Sequence, residues 1–101
     1  MTTSYAFRAE LWHNPEQASW HFITLPPDLA EEIKDQAAPF RKGFGSVTVS
    51  ACIAGQRWGT SLFPDSRRNS YLLPVKKAIR AAAGIHAGDE VDVELDLELP
   101  G

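Results

Sequence analysis

The chain has 101 residues, 44% of them apolar and 23% charged, with a formal net charge of -3. That length supports one core and one site, so residues 1–101 read as a single domain and a separate substrate domain is excluded. No apolar run approaches the roughly 20 residues of a membrane span; the start, MTTSYAFRAELWH, lacks the signal-peptide pattern, and the sole cysteine, Cys52, allows no intramolecular disulfide, so a soluble cytoplasmic protein is expected.

In chain order, Tyr5, Phe7, Ala9 and Leu11 alternate with Ala6, Arg8, Glu10 and Trp12, the period of a half-buried strand. The polar HNPEQ at 13–17 supplies a turn into a hairpin partner, ASWHFITL at 18–25. PPDLAEEIKDQAA at 26–38 reads as a helix with proline in its first turn and Asp28, Glu31 and Glu32 near its positive end. Its core face is expected to carry Leu29, Ile33 and Ala37. PFRKGFG at 39–45 is a loop. Val47, Val49, Ala51 and Ile53 then mark one face of a strand, which turns near Ala54-Gly55-Gln56 and returns through Trp58, Thr60 and Leu62.

PDSRRN at 64–69 reads as a loop and SYLL at 70–73 as a short strand. PVKKAIRAAAG, 74–84, reads as a helix stopped by Gly84. In the closing segment Val91, Val93, Leu95, Leu97 and Leu99 alternate with Asp92, Glu94, Asp96 and Glu98, a strand whose acidic outer face discourages edge pairing. The chain therefore reads as mainly β with two short helices. Strand, Leu-Pro and helix occur twice, with Leu25-Pro26 matching Leu73-Pro74, which suggests a pseudo-symmetric barrel.

The charge is segregated. From Ser66 to Gly88 stand Arg67, Arg68, Lys76, Lys77 and Arg80 with no acid, while the rest of the chain carries all 13 acids. Lysines in the first turn of a helix oppose its dipole by about 0.3–1 kcal/mol each. A bound anion at Lys76 and Lys77, reinforced by Arg67 and Arg68, is one compensation; amines spread into water or paired with the acidic last strand are the other. Aromatic walls with a few polar groups are the usual build of a ligand site. Trp58 and Tyr71 flank the basic loop and are the favoured wall residues among Trp12, Trp20, Trp58 and Tyr71. Alternation sets Arg57, Gly59 and Ser61 on one face and Trp58, Thr60 and Leu62 on the other. The ligand-binding candidates are Trp58, Ser61, Arg67, Arg68, Tyr71, Lys76, Lys77 and Arg80.

No catalytic or metal-binding set emerges. His13, His21 and His86 lack a metal-ligand spacing, Ser61 and Ser66 lack a nucleophile-elbow context, and Cys52 has no activating neighbour in sequence. GFGS at 43–46 lacks the strand and helix that frame a phosphate-cradling loop. No cofactor is called for.

From Trp58 to Glu98 the chain resembles a widespread, mainly bacterial family of uncharacterised domains, domain-of-unknown-function family nineteen-oh-five. The blocks TSLFP at 60–64 and YLLPVKK at 71–77, Arg80 and the Gly88-Asp89 turn carry the resemblance, and SWHFITLPPDLAEEIK fits the family's first half. It implies a double-split β-barrel and no established activity; members also occur joined to a bacteriocin-protection (YdeI/OmpD-associated) type of domain, which implies an accessory or interaction role. LLPVKKAIRAAAGIHAGDEVDVEL is similar, more distantly, to the swapped-hairpin module of AbrB and MazE-type regulators. There Lys76, Lys77 and Arg80 would match phosphate-contacting positions.

The leading expectation is a binding or accessory domain, not an enzyme, that takes a small anionic ligand or a partner protein on its basic face, as a monomer or homodimer. A nucleic-acid-binding module is the alternative, disfavoured by the net charge and by the acids of the first helix. An enzyme with an unrecognised acid-base site is a further one.

Overall fold

The computed structural model describes residues 3–16, 20–40 and 45–98. Six strands, β1 (Thr3–His13), β2 (His21–Thr24), β3 (Val47–Ile53), β4 (Gln56–Asp65), β5 (Ser70–Pro74) and β6 (Glu90–Leu97), form a closed barrel in the order β1-β2-β5-β4-β3-β6, every pair antiparallel. Helix α1 (Pro27–Ala37) precedes β3, and α2 (Lys77–Ala83) precedes β6. The mainly β, double-split closed barrel expected from the sequence is the fold.

Each half of the chain contributes hairpin, helix and strand, β1-β2-α1-β3 and then β4-β5-α2-β6. The long strands β1 and β4 are shared between two neighbours. β1 pairs with β6 over Thr3 to Glu10 and with β2 over Leu11 to His13. β4 pairs with β3 over Gln56 to Leu62 and with β5 over Phe63 to Asp65. Each half's outer hairpin strand thus completes a sheet with the other half's last strand.

The pseudo-twofold axis crosses the β2–β5 pair at Ile23 and Leu73. Leu25 N–H donates to the Tyr71 carbonyl and Val75 N–H to the His21 carbonyl, both at 3.0 Å. This reciprocity equates Leu25 with Val75 and the starts of α1 and α2, Pro27 and Lys77. The repeat is present, but the Leu25-Pro26 and Leu73-Pro74 match is two residues out of structural register. Lys76 and Lys77 occupy the positions held by Pro26 and Pro27 in the first half.

The alternating strands bury one set of side chains inside the barrel, including Leu11, Ile23, Val49, Leu62, Leu73 and Leu95. Burying a side chain of this size stabilises by about 1.5–3 kcal/mol before conformational entropy is subtracted. α1 adds Ala30, Ile33 and Ala37, with Leu29 only half-buried beside them, so Ala30 takes the innermost place expected for Leu29. Ala54 and Gly55 both have positive φ, 50° and 80°, as a two-residue hairpin loop between Ile53 and Gln56 requires. Gly84 ends α2 at φ 68°, with its N–H and that of Ile85 on the carbonyls of Ala81 and Arg80.

Several boundaries differ from the sequence reading. Pro64 and Asp65 extend β4, and Pro74 closes β5, because proline is tolerated near strand ends, where a missing donor breaks little of the ladder. Pro74 therefore does not start α2, which begins at Lys77. Gln17 of the first turn, Ala18 and Ser19 of the second strand, 41–44 of the loop and Leu99 lie outside the described residues. Among the described residues no helix is long and apolar enough to cross a membrane.

Candidate functional site

Where the ends of β1 and β4 adjoin β2 and β5, the outer face is apolar, while a barrel exterior is ordinarily polar. Leu11, Ile23, Leu73 and Leu62 point inward, so alternation sends Trp12, Phe22, Leu72, Pro74 and Phe63 outward. The register sets Trp12 beside Phe22, Phe22 beside Pro74 and Leu72 beside Phe63. Trp20 stacks on Phe22 with centroids 5.8 Å apart, Phe22 meets Trp12 at 5.3 Å, and the Arg68 guanidinium lies 4.8 Å from the Trp12 ring. Trp12 Nε1–H donates to Thr24 Oγ1 at 2.9 Å, which holds the indole across the strand pair.

At one end of this strip is an open groove of about 490 Å³. Trp58, 7% exposed, forms its floor, and Trp20 and Phe63, 46% and 44% exposed, form walls. Pro74 and Val75 continue the lining, Gly59 leaves one side without a side chain, and Lys76 and Lys77 stand at the rim. Neither lysine makes an ion pair among the described residues, so neither is neutralised by the acidic last strand. α2 has only seven residues and Lys76 precedes it, so the lysines act through their own charge and not through a helix dipole.

At the other end, Trp12, Phe22, Pro64, Leu72, Arg67 and Arg68 line a smaller depression of about 370 Å³, with Glu16 and Asp65. Asp65 accepts hydrogen bonds from the Arg67 N–H at 3.1 Å and the Arg68 guanidinium at 2.6 Å. Burial alone would raise the Asp65 carboxyl; the Arg68 side chain, then the backbone N–H groups of Arg67 and Arg68, outweigh it and hold the carboxyl below its ordinary value. Arg68 is thus committed to Asp65 and Trp12, and the two arginines here face two acids.

The other candidates lie apart. Tyr71 is 4% exposed and belongs to the core, lining a small cavity beside α1 with Ala30, Lys34 and Ser70, so it does not flank a site with Trp58. Ser61 sits opposite Thr48 on the β3–β4 ladder and lines neither depression. Arg80 is half-buried, and its Nε donates to the Val75 carbonyl at 3.2 Å, tying α2 to the end of β5. Arg57 lines neither depression; it meets Asp96 at 2.9 Å, while Arg8 meets Asp92 at 3.1 Å. Of the eight candidates the groove collects three, Trp58, Lys76 and Lys77, and the far depression two, Arg67 and Arg68. Phe22, Phe63, Leu72 and Pro74 escaped the sequence reading, although Phe22 alternates with buried Ile23 and Phe63 with buried Leu62.

A family model described as Domain of unknown function (DUF1905) matches residues 7–95. The chain belongs to that family. The groove and the far depression fall within the matched residues, as does all of the DUF1905 barrel but the outer ends of β1 and β6. No curated protein matches the chain. Among the described residues of this DUF1905 domain, no group of three or more His, Cys, Asp or Glu is placed to hold a metal ion.

Proposed function

We propose that this protein is a binding domain whose groove between Trp20, Trp58 and Phe63 holds an anionic partner with an apolar body, the anion being met by Lys76 and Lys77. The observation that carries this reading is the coincidence of Trp20 and Phe63, large apolar side chains left exposed, on one groove beside two lysines that make no ion pair among the described residues. Exposed aromatic surface has an unfavourable hydration cost that a partner removes. Unpaired lysines at its edge select the sign of that partner's charge.

Nucleic-acid binding of the regulator type is less well supported. A symmetric DNA footprint needs cations at both pseudo-equivalent helix starts, and the counterparts of Lys76 and Lys77 are Pro26 and Pro27, followed by Asp28, Glu31 and Glu32. Half the phosphate contacts would be missing, and affinity depends steeply on their number.

Anilinonaphthalene sulfonate, an anion with an apolar aromatic body, is a direct probe. Its fluorescence should rise on binding the native domain at low salt, and the double variant Lys76→Ala/Lys77→Ala should weaken it about tenfold or more, the size of a lost charge-assisted contact. Phe63→Ala should weaken it as well. Binding unchanged in both variants would overturn the reading.

A further inference from the structure

We infer that the natural occupant of this face is an extended polypeptide segment of a partner protein, acidic at the end that meets Lys76 and Lys77 and apolar along the rest. This rests on the groove reading above and specifies its ligand class. The groove walls Trp20 and Phe63 remain nearly half exposed, so the groove covers one side of its occupant and does not enclose it, whereas small-ligand sites bury most of the ligand surface. Nor does the apolar surface stop at the groove. It continues through Phe22, Pro74 and Leu72 to Trp12, in aromatic steps of 5.8 and 5.3 Å. The two steps from Trp20 to Trp12 match roughly three residues of extended chain at about 3.3 Å each, and the Arg68 guanidinium over the Trp12 ring closes the far end.

The charge along the strip is asymmetric. Among the described residues Lys76 and Lys77 make no ion pair at the groove, while at the far depression Arg68 is occupied by Asp65, and Glu16 lines the same depression as Arg67. Charge complementarity therefore asks for acid at one end only. Gly59 adds a structural permit: it lines the groove in mid-strand, and a side chain there would meet nothing within 4 Å, so another backbone can approach β4 closely.

The test is selection of a random-peptide display library on the folded domain, followed by polarisation measurements on the synthesised winners. The expected result is a consensus of acidic residues at one end of an apolar run. Lys76→Glu/Lys77→Glu should weaken binding by at least tenfold and Arg67→Glu by less than twofold. Leu72→Ser, on the strip but outside the groove, should weaken peptides several-fold and leave anilinonaphthalene sulfonate binding unchanged; Phe63→Ser, at a half-exposed site, checks the result if Leu72→Ser lowers the melting temperature. The inference falls if the sulfonate probe binds while no peptide is enriched, or if peptides bind independently of Leu72 and Phe63. It also falls if a single-stranded oligonucleotide binds this face more tightly than the selected peptides, or if sedimentation shows two copies of the chain joined through it. In each case the groove reading stands or falls separately, on the sulfonate titration.

Discussion

Gly59→Leu separates binding from stability more cleanly than any loss-of-contact variant. Gly59 lies in β4 opposite Ser50, is exposed, has no positive φ, and leaves open space where a side chain would begin. Glycine in a strand interior costs roughly 0.5–1 kcal/mol relative to alanine through the freedom it loses on folding, so replacing it should stabilise the domain by about that amount. For a chain of this length, 1 kcal/mol corresponds to about 4–8 °C in melting temperature, so a rise of about 2–8 °C is expected. The leucine also projects into the groove that Trp20, Phe63 and Trp58 line, and it should lower affinity for anilinonaphthalene sulfonate by at least tenfold. Thermal unfolding and fluorescence titration on one preparation read both effects. Wild-type affinity in a stabilised variant would refute the assignment of the groove as the site, and a lowered melting temperature would refute the open space above β4.

Three further outcomes follow from local chemistry. Ala54 holds φ 50° in the β3–β4 loop, a conformation that costs alanine about 1–2 kcal/mol; Ala54→Asn, giving the preferred Asn-Gly loop, should recover about 1 kcal/mol, seen as a raised denaturation midpoint. The Tyr5 hydroxyl is buried without a hydrogen-bond partner among the described residues, and burial, then the Glu32 carboxylate, push its phenol up; Tyr5→Phe should be neutral or stabilising by up to about 1 kcal/mol in the same assay. Asp65, held below its ordinary 3.8 in the folded chain, contributes stability that is complete above that value and is lost as pH falls through the lower folded value, because the unfolded chain takes up the proton first. Asp65→Asn should therefore melt below the wild type at pH 7, and the gap should close in strong acid; a gap independent of pH would remove the charge from the account.

The strand pattern was legible because each face alternation is local. Val47 to Ile53 and Val91 to Leu97 sort into barrel interior and exterior as their spacing requires, and Gly84 stops α2 where its φ permits. The two-unit organisation was legible as well, but its register was not. The repeated Leu-Pro is a coincidence of sequence, whereas the structural equivalence is set by which carbonyl accepts from Leu25 and Val75 across the β2–β5 pair. The site was legible in part. The clustering of Lys76 and Lys77 was visible in the chain, yet Trp20 and Phe63 come to them from strands whose adjacency is a product of barrel closure.

Composition and periodicity by themselves determined a mainly β fold, an inward and an outward face for most strands, and a basic segment distinct from an acidic remainder. Periodicity does not say which outward faces adjoin, because strand order depends on long-range pairing between residues far apart in the chain. Only closure of the barrel decided that Tyr71 is core, that Arg57 and Arg80 turn to partners of their own, and that Arg67 and Arg68 lie at the opposite end of the strip from Lys76 and Lys77. Pairing of β2 with β5 and of β5 with β4 placed Phe22, Leu72 and Phe63 side by side on the exterior, turning separate outward residues into one continuous apolar face.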